Sequence, residues 1–111
     1  MTSLTYNTLA AKFNKTPFQF MQERAVNVVK ELEERKSLYY SFNRALLESG
    51  ATPELSLWLE KCEIIIQGLQ ETGVLNTTTR AMHHKSESLV NTFCNAGDIL
   101  IQWARDNYDA Q

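Results

Sequence analysis

Apolar residues recur along the chain at intervals of three and four, and no stretch alternates with period two for long enough to form a strand. The pattern predicts an all-α chain with three main helices, about 17–49, 53–72 and 77–108. The first starts at Thr16-Pro17, where Thr caps free N–H groups, Pro suits the first helical position, and Gln19 completes a capping box. Phe18, Met21, Ala25, Val28, Leu32, Tyr39, Phe42 and Leu46 form its seam, broken only at Arg35, and Gly50 stops it. The second starts at Thr52-Pro53 and ends at Gly73. Leu55, Trp58, Leu59, Cys62, Ile65, Ile66 and Leu69 make its apolar face, and with Ile64 as a flank we expect this helix to lie deepest. The third follows Asn76-Thr77, with a seam at Met82, Leu89, Phe93, Ala96, Leu100 and Trp103, widened by Val90, Ile99 and Ile101. Tyr6, Leu9, Ala10 and Phe13 suggest a short N-terminal helix. The connections are short, so we expect an antiparallel bundle with sequential helices as neighbours, forming a single domain over 1–111.

Helix lengths sharpen the picture. At about 1.5 Å per residue the three helices span roughly 50, 30 and 48 Å. Counting residues puts Leu89 level with Ser41 and Gly97 level with the end of the first helix. The stretch beyond Gly97 would then project past the bundle by about 18 Å, carrying Ile99, Leu100, Trp103 and Tyr108. Phe18, Phe20 and Met21 are left similarly bare at the other end. Apolar surface of this size marks an interface unless something covers it. The N-terminal helix is expected to cover the lower end. The upper end is covered either by a break near Gly97, with Asp98 capping a short final helix, or by another chain anchored on Trp103.

The chain's 111 residues suit one domain with one core, and 43% hydrophobic residues against 22% charged excludes intrinsic disorder. No apolar run exceeds three residues, so no membrane span is expected. The N-terminus lacks the basic and apolar regions of a signal peptide, which places the protein in the cytoplasm. Cys62 and Cys94, in apolar contexts, read as buried thiols rather than a disulfide. The net charge of -2 argues against nucleic acid as a partner. Charge is unevenly divided, however: residues 1–52 carry seven basic and five acidic groups, and 53–111 carry four and eight.

Catalytic and metal-binding patterns are sparse. His83 and Glu87 lie one helical turn apart and could form half of a metal site, but Cys94 is about 16 Å further along the same helix. His84 and Ser88 share a face without an orienting carboxylate or a nucleophile-presenting turn. Neither histidine has the context of a phosphotransfer site, and no P-loop, dinucleotide fingerprint, HExxH or CxxC occurs. We expect no enzyme, no metal, no cofactor and no small-molecule substrate. The densest charged run, Glu31 to Lys36, reads as a solvated face with Glu31–Arg35 and Lys30–Glu34 pairs. Arg35 should lie near the turn after the second helix, with Glu71 as a partner or the side chain extended to solvent.

Two segments suggest partners. Residues 9–20 have the spacing of a helix-turn-helix, and Lys12, Lys15 and Arg24 nearby would contact DNA. Against this, Lys15 sits where an apolar turn residue is usual, and the second helix is too long for an ordinary recognition helix. Residues 53–63, Pro53-Glu54-Leu55-Ser56-Leu57-Trp58-Leu59-Glu60-Lys61-Cys62-Glu63, resemble a stretch in the small helical chaperones of type III secretion needle subunits. The likeness covers eleven of 111 residues, and the first helix does not share it. The leading expectation is a protein–protein interaction module (a small adaptor, chaperone or inhibitor) binding a protein partner or its own copy as a homodimer. Ile99, Leu100, Trp103 and Tyr108 would carry the contact. The alternative is a DNA-binding regulator using residues 9–24.

Overall fold

The computed structural model describes residues 14–48, 53–76 and 84–109. Three helices pack against one another: α1 (Pro17–Glu48), α2 (Pro53–Glu71) and α3 (His84–Ala104), which ends in a π-helical turn, Arg105–Asp109. No strand occurs among the described residues, and the architecture is the expected all-α bundle. The short N-terminal helix and the start of the third helix at 77 lie outside the described residues.

The local signals act as the sequence suggests. Thr16 and Gln19 form a reciprocal capping box: the Gln19 N–H donates to Thr16 Oγ1 (3.2 Å) and the Thr16 N–H to Gln19 Oε1 (3.1 Å). Gly73 adopts φ +75°, the left-handed conformation that ends α2, and Thr72 Oγ1 donates to the freed Leu69 carbonyl at 2.6 Å. Val74, just beyond, is fully buried.

The core takes Met21, Ala25, Val28, Leu32 and Tyr39 from α1, and all seven expected residues of the α2 face. The side chains of Phe42 and Leu46 lie outside the described residues. Ile64, the expected flank, is 57% exposed, and Leu57 is 50% exposed, so α2 is not buried most of the way round.

The larger correction concerns α3. Its buried line is Val90, Cys94, Gly97, Ile101 and Ala104, one residue round from the expected seam. Leu89 is exposed, while Phe93, Ala96, Leu100 and Trp103 are half-buried. Gly97 faces Val28 of α1 directly, because the absence of a side chain there lets the two helices approach closely. Gly97 is therefore a contact point rather than a break: the helix passes through it unbroken, and a Cβ there would collide with Val28 Cγ1. Asp98 caps nothing and instead bonds Arg24.

The register along α1 is corrected as well. Gly97 lies beside Val28, not the end of α1, and Arg105 pairs with Glu31. Tyr39 Oη donates to the Ala104 carbonyl at 3.5 Å. Ile101 and Ala104 are in the core, so the stretch after Gly97 does not project past the bundle. Contacts between side chains, rather than helix length counted from the preceding turn, set this register. The same shift moves Arg35 away from Glu71. Arg35 donates to Glu31 Oε1 (3.1 Å) and Tyr39 Oη (3.2 Å), while Glu71 accepts from Gln67. The charged run is also less solvated than expected. Lys36 is buried at 8% exposure, where its ammonium pairs with Glu63 of α2 and lies 4.0 Å from Glu33.

Candidate protein interface

The two flanks of α3 differ in chemistry. Toward α1, Asn91, Asn95 and Asp98 stand at i, i+4 and i+7 and face the Arg24 guanidinium. Arg24 donates to Asn91 Oδ1 (3.2 Å), Asn95 Oδ1 (2.6 Å) and Asp98 Oδ2 (3.0 Å). Planar guanidinium groups suit such multidentate contact, so Arg24 ties α1 to α3. The groove there is lined by Glu23, Arg24, Asn27, Glu31 and Asp98, with Phe20, Val28 and Ile101 beneath.

Toward α2, the flank is apolar and open. A groove of about 310 Å³ is lined by Leu57, Trp58, Ile99, Leu100 and Trp103, with Glu54 and Lys61 on its rim. Its floor has no unmet polar group from Trp58, whose indole N–H donates to the Leu100 carbonyl at 2.8 Å. Beneath it a chain of rings joins all three helices. Tyr39 meets Trp58 at 5.3 Å and Tyr108 at 5.0 Å between centroids, and Tyr108 meets Trp103 at 5.6 Å. Further along, the Phe93 ring lies over Gly68, where a Cβ would collide with it.

The four residues expected to carry a partner thus have different situations. Ile99 is 69% exposed, the most open large apolar side chain described. Leu100 and Trp103 are half-buried in the groove wall. Tyr108 is half-buried in the ring chain, where burial raises its phenol pKa and the Glu54 carboxylate adds to the rise. Sequence reasoning passed over Glu54, Leu57 and Lys61. Their signal was a second 3–4–3 stripe on α2 (Glu54, Leu57, Lys61, Ile64), hidden behind the stronger core face.

Of the residues considered for DNA contact, Lys12 lies outside the described residues, Lys15 pairs with Glu23, and Arg24 is held by α3. His83 and the side chain of His84 lie outside the described residues. No cluster of three metal-ligating side chains occurs among the residues that are described. Both cysteines are free and buried. Burial pushes the Cys62 thiol up to about 12, with Lys36 opposing, and raises Cys94 against the opposing charge of Arg24. Neutral thiols of this kind are poor nucleophiles and metal ligands. No described helix is long and apolar enough to cross a membrane. Comparison with family models, curated proteins and solved structures finds no match for the chain.

Proposed function

We propose that the chain is a non-enzymatic protein–protein interaction module, a small adaptor, chaperone or inhibitor of the cytoplasm, and that its partner docks in the groove between α2 and α3. The observation that carries this reading is the groove itself: Leu57 and Ile99 stand half-exposed or more over a floor of Trp58, Leu100 and Trp103. Large apolar side chains flanking an aromatic floor, with charge at the rim, are the composition of a protein interface. Burying each of the two exposed side chains on docking is worth about 1–2 kcal/mol, since Leu57 is 50% and Ile99 69% exposed before docking.

The test uses tagged wild-type protein and the Leu57→Glu/Ile99→Glu variant, expressed in the cell that makes the chain. We expect a stoichiometric companion, another protein or an untagged copy, to co-purify with wild type and to be lost from the equally folded variant. Equal recovery with both overturns the reading. The DNA-binding alternative has its own test in salt-dependent retention on nonspecific DNA. With Arg24 and Lys15 engaged by intrachain acceptors, we expect no retention at moderate salt.

A further inference from the structure

Glu54 and Lys61 stand on the same exposed stripe of α2 and both rim the groove. Neither has an ion-pair partner among the described residues; Lys15, Arg24, Arg35, Lys36, Arg44 and Arg105 do, while Lys30, Glu34, Glu60 and Glu87, like them, do not. They cannot pair with each other, being seven residues apart and so about 10 Å along the helix. Between them stands Leu57, 50% exposed, and across the groove Ile99. The stripe therefore runs from acid through apolar to base, centred on the Leu57–Trp58 step.

A stripe of this kind is self-complementary. Two copies of α2 laid antiparallel about a two-fold axis at that centre place every residue opposite the one equally far on the other side. Glu54 then meets the partner's Lys61, and Lys61 meets the partner's Glu54, so one symmetry axis makes both pairs. A parallel pairing would set like charges opposite each other. Resting on the groove being a docking face, we propose that its occupant is a second copy of this chain. Leu57 and Ile99 of the two protomers meet at the axis, with the two Glu54–Lys61 pairs on either side. The apolar contact supplies the affinity, and the paired charges fix the antiparallel register.

The experiment is light scattering across a wide concentration range on four proteins: wild type, Glu54→Lys, Lys61→Glu and the double reversal. Circular dichroism verifies that each is folded. Wild type should rise from 12.7 kDa toward twice that mass. Each single reversal sets like charges together at both contacts and should weaken association by at least about tenfold. The double reversal should associate as wild type does. An equimolar mixture of the two single variants should form a mixed dimer, because every contact is again between opposite charges. A wild type that stays at 12.7 kDa overturns the proposal, as does a dimer indifferent to both reversals. The Leu57→Glu/Ile99→Glu variant separates this inference from the reading beneath it. A dimer abolished by that variant but not by the reversals keeps the groove and rejects the pairing. A dimer indifferent to all of them rejects both, and a monomer whose companion is lost with that variant keeps the groove alone.

Discussion

The two flanks of α3 are built from the same helix yet solve different problems. On the α1 side, Gly97 lets the helix approach Val28 closely, and Arg24 then gathers three acceptors from α3. That side keeps a groove of its own, but a polar one, whose Arg24, Glu23, Glu31 and Asp98 are paired within the chain. On the α2 side, Leu100 and Trp103 line an apolar groove with Leu57 and Trp58, and Ile99, 69% exposed, stands at its edge. The comparison teaches that a buried glycine on a helix marks a close contact that size-weighted periodicity overlooks. The large side chains beside it mark what the packing leaves over.

Four substitutions probe that contrast through stability, from the largest effect to the smallest. Gly97→Val would disrupt the α1 side, since its side chain collides with Val28. We expect a loss of about 3 kcal/mol in chemical denaturation, partly restored by Val28→Ala. Arg24→Ala removes the three hydrogen bonds to α3 made by a side chain that is 25% exposed. It should cost about 1–2 kcal/mol without changing the solution mass. Trp58→Phe leaves the Leu100 carbonyl without its side-chain donor beneath the groove and should cost about 1 kcal/mol. Ile99→Glu, on the open side, should change stability by no more than about 0.5 kcal/mol while removing association. A large stability loss from Ile99→Glu would mean that the groove is part of the core, and the contrast between the flanks would fail.

Much of this architecture was legible in the sequence, and the misses share a cause. Thr16, Gln19 and Gly73 act locally, through hydrogen bonds and backbone conformation within a few residues, so their spacing suffices to read them. The α2 face is legible because its buried line is made mostly of large residues, although Leu57 and Ile64, equally large, are exposed. In α3 it is not: the seam at Phe93, Ala96, Leu100 and Trp103 is the bulkiest line, whereas the buried line runs through Cys94, Gly97 and Ala104. Periodicity weighted by size reads the wrong face by one residue. The register of α3 against α1 is likewise set by side chains such as Arg24, which no count of helix length includes. Ile99, Leu100 and Trp103 were legible as surplus apolar residues, but the groove they line required Leu57 and Trp58 from another helix. The polar stripe Asn91, Asn95, Asp98 was readable too, though nothing in the sequence assigned Arg24 to it.

The most direct measurement places a photo-crosslinking residue at Ile99 in one variant and at Asn27, in the groove between α1 and α3, in another. Both are expressed in the cell that makes the chain. The account predicts a discrete adduct from position 99, at twice 12.7 kDa if the occupant is a second copy, and none from position 27. Adducts from position 27 alone, or from neither position, would contradict it.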